Sequence, residues 1–301
     1  MADIFYDSTD GLKLYARDYG STDAPLTVLC MHGLTRNHKD FEPMIARLGD
    51  QYRYISVDVR GRGRSDRVSD SSLYNPMQYA HDMVALLDHL ALDQVVLIGT
   101  SMGGLMSMLL MEMIPDRVLG VLLNDIGPVP NQAGLIRISE YATKTPIYAD
   151  WQAAADAIAK TQSVAYQDYT FSDWEAFARR TCRRQDDGTI VPDFDPGIMD
   201  AFSIESPSRI IKFNMWRLFG KLKRCPLLIL RGESSDILTH KMAERMRRRH
   251  CGSRLVSIPR RGHAPMLDEP EAIAAIGRFL DQISSSESER SRQSASNGVQ
   301  L

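Results

Sequence analysis

The sequence is poor in cysteine and in excess charge of either sign. Its 301 residues include four cysteines, which are scattered without a C-x-x-C spacing. This pattern argues against a disulfide framework, a redox motif and a metal site, so we expect buried free thiols. The 36 Lys and Arg residues nearly balance the 38 Asp and Glu residues. A net charge of −2 supplies no field for a phosphate backbone, so a nucleic-acid partner is not expected.

Long apolar runs are also missing. No uncharged apolar stretch approaches the roughly 20 residues that a membrane-spanning helix requires. The first residues, Met1 to Asp7, carry neither the positive segment nor the apolar segment of a secretory signal. We therefore expect a cytoplasmic protein without a membrane partner.

The first 125 residues contain short apolar runs that alternate with helical patterns. Such alternation is typical of an α/β fold with a mostly parallel sheet and helices on both of its faces. The predicted strands are Leu12–Tyr19, Leu26–Met31, Tyr54–Asp58, Val95–Ile98 and Val118–Leu123. The predicted helices are Phe41–Leu48, Pro76–Leu90 and Met102–Ile114.

A change of pattern divides the remainder of the chain. Strand-like runs disappear between residues 130 and 220, where helical patterns predict a helical cap inserted into the core. Strand and helix patterns return in pairs, at Pro226–Arg231 with Lys241–Arg249 and at Leu255–Ile258 with Pro270–Ile283. The core domain is thus expected to comprise residues 1–129 and 221–283. Residues 284–301 are serine-rich and low in apolar residues, which predicts a disordered tail.

A serine stands in a tight turn between a predicted strand and a predicted helix. Residues 99–104 read Gly-Thr-Ser-Met-Gly-Gly, directly after the strand that begins at Val95. This is the sequence context of a nucleophile elbow, in which glycines on both sides leave room for a sharp strand-to-helix turn. The helix N-terminus directs N–H groups toward negative charge that develops during acyl transfer. Ser101 is therefore the candidate nucleophile.

A serine nucleophile needs a base and a third group that orients the base. His263 follows the last predicted strand, at the sheet edge where catalytic loops gather, and is the candidate base. Asp236 follows the strand at Pro226–Arg231 and gives the chain order serine, acid, histidine, so it is the first choice for the acid. Asp125, at the end of the strand before the insertion, is the alternative.

Together these motifs resemble the α/β-hydrolase fold enzymes that carry a helical cap. The segment Met31 to Thr35 is similar to the family's His-Gly segment, and residues 58–66 are similar to its D-x-R-G-x-G-x-S turn. The resemblance implies a mostly parallel eight-stranded sheet. It also implies an oxyanion hole formed by the N–H groups of Leu34 and Met102, and no cofactor or metal. A serine in place of aspartate at the nucleophile position disfavours the haloalkane dehalogenases and epoxide hydrolases.

These residues predict a serine hydrolase that cleaves small-molecule carboxylic esters or lactones through an acyl-enzyme. Two alternatives stay open: a C–C bond hydrolase or perhydrolase with the same triad, and a ligand-binding member of the fold that has no activity. Three tryptophans of the insertion, Trp151, Trp174 and Trp216, are candidates for an apolar substrate pocket. A homo-oligomer is possible.

Overall fold

The sheet has the expected α/β arrangement. The computed structural model describes residues 1–200 and 209–297, apart from the side chains of residues 209–213, 291 and 294–297. Within these residues the sheet has eight strands in the order β1-β2-β4-β3-β5-β6-β9-β10. Strand β2 pairs antiparallel with both β1 and β4. All the other neighbouring strands of this sheet pair parallel. The strands are β1 (Ala2–Asp7), β2 (Lys13–Tyr19), β3 (Thr27–Met31), β4 (Arg53–Asp58), β5 (Val95–Thr100), β6 (Val118–Asn124), β7 (Cys182–Arg184), β8 (Ile190–Pro192), β9 (Leu227–Gly232) and β10 (Arg254–Ile258).

Helices cover both faces of the sheet. They are α1 (Glu42–Leu48), α2 (Pro76–His89), α3 (Met102–Met113), α4 (Gln132–Ala142), α5 (Trp151–Gln162), α6 (Phe171–Thr181), α7 (Arg209–Lys221), α8 (His240–Arg249) and α9 (Pro270–Asn297). Alternate residues of β3 face opposite sides, so that Leu29 packs with side chains of α2 and α3 while Val28 packs with those of α1 and α9. The predicted doubly covered sheet is confirmed.

The segment between β6 and β9 differs in two respects from the predicted helical cap. It contains a short antiparallel hairpin, β7 with β8, which the sequence pattern did not indicate. Helix α7, inside the predicted cap limits of 130–220, packs on core helix α3 through Leu218 and Phe219 in the main core cluster. The cap is therefore the described part of the insertion that precedes α7, residues 130–200. Residues 201–208 of the predicted cap lie outside the described residues.

The C-terminal helix extends into the predicted disordered tail. It runs without interruption through Asn297, where disorder was expected from residue 284. The difference arises because the core-packed turns before residue 284 have already nucleated the helix, so that each further residue adds a backbone hydrogen bond at little cost. The Glu287–Arg290 ion pair adds a small local stabilisation. Residues 298–301 of the predicted tail lie outside the described residues.

The cysteines are all free thiols, as expected, but not all of them are buried. Cys30, Cys182 and Cys225 are buried, whereas Cys251 is exposed in the turn after α8. The expectation of burial was wrong for Cys251, which lies just beyond a helix and outside any apolar run. No helix among the described residues has the length and apolar content needed to cross a membrane.

Candidate active site

Ser101 occupies a strained turn between β5 and α3. Its φ of 52° lies in the left-handed region that non-glycine residues rarely adopt. The turn requires glycine at two neighbouring positions. A Cβ on Gly99 would lie 2.3 Å from the carbonyl oxygen of Gly103, and a Cβ on Gly103 would lie 2.1 Å from that of Met31. The turn is thus a nucleophile elbow, and it presents the serine hydroxyl at the carboxyl edge of the sheet.

A chain of hydrogen bonds joins Ser101, His263 and Asp125. The Nε2 atom of His263 lies 2.9 Å from Oγ of Ser101, and Nδ1 lies 2.8 Å from Oδ2 of Asp125. A carboxylate can only accept, so Nδ1 carries the hydrogen and Nε2 accepts from the serine hydroxyl. The Asp125 side chain is fully buried and that of His263 is 7% exposed. This geometry activates a serine for nucleophilic attack.

The structure corrects the first choice for the acid. Asp236 makes no hydrogen bond to His263; instead its two oxygens bind Nε and Nη2 of Arg137, at 2.5 and 2.9 Å. Burial raises the pKa of Asp236, but the hydrogen bonds and charge of Arg137 outweigh it and bring the pKa below its ordinary value. Asp236 lies on the loop after β9, whereas the β6 loop carries Asp125 directly beneath the histidine.

Two neighbours hold the Asp125 carboxylate in place. Its Oδ1 accepts from the backbone N–H of Gly232, and Oδ2 accepts from the hydroxyl of Ser235. Asp125 itself has a φ of 57°, so the chain turns sharply as it leaves β6. Neither Gly232 nor Ser235 was singled out in the sequence. The signal for Asp125 was its place immediately after a central strand that neighbours the serine strand.

The Gly33–Leu34 peptide is fixed from behind by buried side chains. His32 donates from Nδ1 to the carbonyl of Gly33 at 2.7 Å and accepts at Nε2 from the N–H of Val59. A trans peptide points its C=O and N–H in opposite directions, so anchoring the Gly33 carbonyl aims the Leu34 N–H the other way. Arg62, which is 1% exposed, donates to the Leu34 carbonyl. Its Nη2 also lies 3.7 Å from the sulfur of Met102.

The Leu34 and Met102 N–H groups are available for a ligand. Met102 is the first residue of α3, where a backbone N–H has no intrahelical acceptor. Among the described residues, neither N–H donates to another backbone group. Gly33 and Leu34 line the same cavity as Ser101. Leu34 thus lies on the cavity wall with Ser101, and Met102 directly follows Ser101 in the chain.

A cavity of about 550 Å³ opens over Ser101 and His263 beneath the cap. This volume suits a small molecule. Aromatic side chains from the cap and its rim provide much of its apolar wall, and cationic groups interrupt that wall. The members used below are Tyr141, Tyr166, Phe177, Arg36, Arg137, Lys144 and Lys160.

None of the three candidate tryptophans lines this cavity. Trp174 is buried among Tyr166, Tyr169 and Phe177 inside the cap, and Trp151 stacks with Arg179. Trp216 stacks with Arg245 and Arg249 of α8. The pocket assignment was therefore wrong, because each ring is occupied in packing cap helices or in packing α7. Tyrosine and phenylalanine take the predicted role.

The cap is bonded to the loop that carries His263. The N–H of Gly262 donates to the carbonyl of Ala165 at 2.7 Å, and the Tyr166 hydroxyl donates to the carbonyl of Ala264 at 2.9 Å. Asp168 pairs with both Arg260 and Arg261. The residues on either side of His263 are thus held by the cap segment 165–168.

The chain is similar to known hydrolases over most of its length. A hydrolase of 3-hydroxybutyrate oligomers from Cupriavidus necator is 32% identical over 275 residues, covering 89% of this chain and 92% of its own. The 2-(acetamidomethylene)succinate hydrolase of Mesorhizobium japonicum is 26% identical over 284 residues, covering 90% and 92%.

Among solved structures, an alpha/beta hydrolase from Novosphingobium aromaticivorans superposes with a TM-score of 0.86 at 42% identity. The match covers 93% of this chain and 98% of that one. The family model described as "Alpha/beta hydrolase family" matches residues 28–276, a range that includes Ser101, Asp125, His263 and the cap. The chain belongs to the alpha/beta hydrolase family.

Proposed function

We propose that this protein is a serine hydrolase that cleaves carboxylic esters or lactones of small molecules through an acyl-enzyme intermediate. The observation that carries the proposal is the continuous hydrogen-bond chain from Ser101 through His263 to the buried Asp125. In this proposal Asp125 replaces Asp236 as the orienting acid.

Each step follows from the positions of these groups. His263 removes the hydroxyl proton as Ser101 attacks the carbonyl carbon, and Asp125 stabilises the imidazolium that forms. The N–H groups of Leu34 and Met102 bind the developing oxyanion, at about 3 kcal/mol per donor. His263 then protonates the leaving alkoxide, and a water activated by the same imidazole hydrolyses the acyl-enzyme.

The relatives support the substrate class. The Cupriavidus necator protein is named for hydrolysis of 3-hydroxybutyrate oligomers, whose units are joined by ester bonds, and it aligns over nearly the whole chain. Three earlier expectations stay predictions: a cytoplasmic location, no required cofactor, and the possibility of a homo-oligomer.

Replacing the nucleophile tests the proposal most directly. Ser101→Ala should lower kcat for 4-nitrophenyl esters by on the order of 10³ to 10⁶, because triad members act as a unit. The measurement is steady-state hydrolysis of esters of increasing acyl length, with fluorophosphonate labelling of Ser101. A matched control is Ser107→Ala, since Ser107 is buried in the same helix and bonds only the Gly103 carbonyl. In the Ser107→Ala variant, the fluorophosphonate should label Ser101 as in wild-type protein.

The alternatives predict other outcomes. A C–C bond hydrolase or perhydrolase would leave esters nearly untouched and turn over a ketone or peroxide panel in a Ser101-dependent manner. A ligand-binding protein would show neither activity. If Ser101→Ala kept more than a tenth of the wild-type rate, the nucleophile assignment would be wrong.

A further inference from the structure

Arg137 and Asp236 form an ion pair in the wall of the cavity that the catalytic chain does not use. The Nε and Nη2 atoms of Arg137 are engaged by the Asp236 carboxylate. Its Nη1 atom is buried and finds no hydrogen-bond partner among the described residues. A buried, unsatisfied guanidinium nitrogen is costly, so its retention calls for a partner.

The pair lies close to the reacting groups. Arg137 lines the same cavity as Ser101 and His263, and its side chain is 20% exposed. Because Nη1 itself is buried, a rotation of the guanidinium is needed to bring this nitrogen to the cavity surface when a ligand binds. Burial raises the pKa of Asp236, Arg137 lowers it more strongly, and His263 lowers it further when the imidazole is protonated. A group bound at Arg137 would therefore belong to the molecule whose carbonyl lies at Ser101.

A second guanidinium faces the same part of the cavity. Arg36 stacks over the ring of Phe177 and bonds Asp40 through Nε and Nη2. The half-buried Tyr141 phenol lies near both arginines: burial raises its pKa, and the charges of Arg137 and Arg36 oppose that rise. The exposed Lys144 and Lys160 add positive charge to the lining.

We propose that the substrate is an ester that also bears a carboxylate, and that Arg137 binds this carboxylate while Asp236 holds the guanidinium in position. The inference rests on the proposed function and adds the class of substrate to it. One free guanidinium nitrogen suits a carboxylate, whereas phosphate sites in proteins combine several backbone and side-chain donors. Arg36 lines the same cavity and adds a second positive charge near the anion.

The experiment compares two esters that differ only at the end of the acyl chain. Mono-4-nitrophenyl glutarate and 4-nitrophenyl valerate have acyl chains of equal length, ending in a carboxylate and in a methyl group. Wild-type protein should prefer the glutarate ester by about tenfold or more in kcat/KM. A charge-assisted hydrogen bond of this kind contributes enough for such a preference.

The informative variant is the double substitution Arg137→Gln with Asp236→Asn. It removes one positive and one negative charge, so the net charge of the cavity is unchanged and Asp236 is not left unpaired. The glutarate-to-valerate ratio should fall at least tenfold. The matched control is Arg179→Gln with Glu175→Gln, an exposed ion pair on α6 outside the cavity, and it should keep the wild-type ratio.

The outcomes separate this inference from the function on which it rests. If wild-type protein hydrolyses neither ester, the proposed function fails. If it hydrolyses both in a Ser101-dependent manner without preferring the glutarate ester, only the carboxylate inference is overturned. The comparison of the two esters is made on wild-type protein and does not depend on the folding of the Arg137 and Asp236 variant. The inference is equally overturned if the double variant keeps the wild-type preference.

Discussion

In the proposed mechanism, Asp125 orients His263 and stabilises its protonated form. Without its charge the imidazole can adopt the wrong tautomer and its protonated form is left unpaired. Asp125→Asn should therefore lower kcat by on the order of 10⁴, measured with 4-nitrophenyl valerate. Asp236→Asn serves as the control, with a loss of kcat at least a hundredfold smaller, since Asp236 bonds Arg137 and not His263. If Asp236→Asn instead lost far more activity than Asp125→Asn, Asp236 would be the residue that orients the histidine.

His32 should make the stability of the protein sensitive to acid. Burial lowers its pKa from 6.5 to about 4, and its Nε2 must stay unprotonated to accept from Val59. The folded state thus keeps His32 neutral, whereas the unfolded chain binds a proton below about pH 6.5. Acidification from pH 7 to pH 4 should therefore lower the free energy of unfolding by up to about 3 kcal/mol through this group. Above pH 7 the titration of His32 should not change the stability.

Urea denaturation of His32→Asn at several pH values measures this contribution. The stability gap between wild-type and variant should be largest at pH 7 and shrink by about 3 kcal/mol toward pH 4. Gly220→Ala, which changes no titratable group, is the control and should show a gap that stays constant. A constant gap for His32→Asn would contradict the assignment of a neutral, buried imidazole.

Single residues also show where sequence reasoning succeeds and where it stops. Ser101 and His263 were predicted because the elbow pattern and the loop after the last strand are local features. Both acids were named, but they were ranked in the wrong order, because β6 and β9 are adjacent parallel strands whose loops, with Asp125 and Asp236, leave the same edge. Only the packed structure shows that Arg137, from the cap, binds one carboxylate while Gly232 and Ser235 orient the other.

At the scale of elements, the contact between α3 and β3 sets the position of the nucleophile. A Cβ at Gly103 would collide with the backbone of Met31, so Gly103→Ala should cost at least about 1 to 3 kcal/mol of stability and shift Ser101 away from the Leu34 loop. Thermal melting and ester hydrolysis measure both effects.

The matched control for that change is Gly220→Ala. Gly220 is also helical, but a Cβ there would meet nothing within 4 Å, so alanine should leave the stability unchanged or raise it by less than about 1 kcal/mol. Equal melting temperatures for the two variants would show that the close approach at Gly103 is not required.

Elements with strong apolar patterns were predicted to within a residue or two at most ends, as for β3 and α2. The first strand, β1, was missed because Asp3 and Asp7 interrupt its pattern and its partner β2 supplies the pairing. The β7–β8 hairpin was missed because each strand has only three residues. For α9 the composition argued for disorder, but the packed first turns start a helix that continues at little cost per residue, with one ion pair between Glu287 and Arg290.

For the molecule as a whole, the core should be complete without the end of α9. Ile283 is the last buried apolar residue of this helix among those described, and the following side chains are mostly exposed. Truncation after Ser285 should change the free energy of unfolding by less than about 1 kcal/mol, since little apolar area is lost. Urea denaturation compares the two chains, with truncation after Phe279, which removes Leu280 and Ile283, as the destabilised control. A loss of several kcal/mol in the first truncation would mean that the end of α9 docks on the core.

The bonds from Ala165, Tyr166 and Asp168 to the histidine loop mean that the cap is not an exchangeable module. A chimaera that grafts a foreign insertion onto this core would lose the acceptor for Gly262 and the donor to Ala264, and with them the alignment of His263. Directed evolution of selectivity through the cap must therefore leave residues 165–168 and residues 260–264 unchanged, because the two segments bond to each other. Diversity is better introduced around Lys144 and Lys160, which line the cavity outside the segment 165–168.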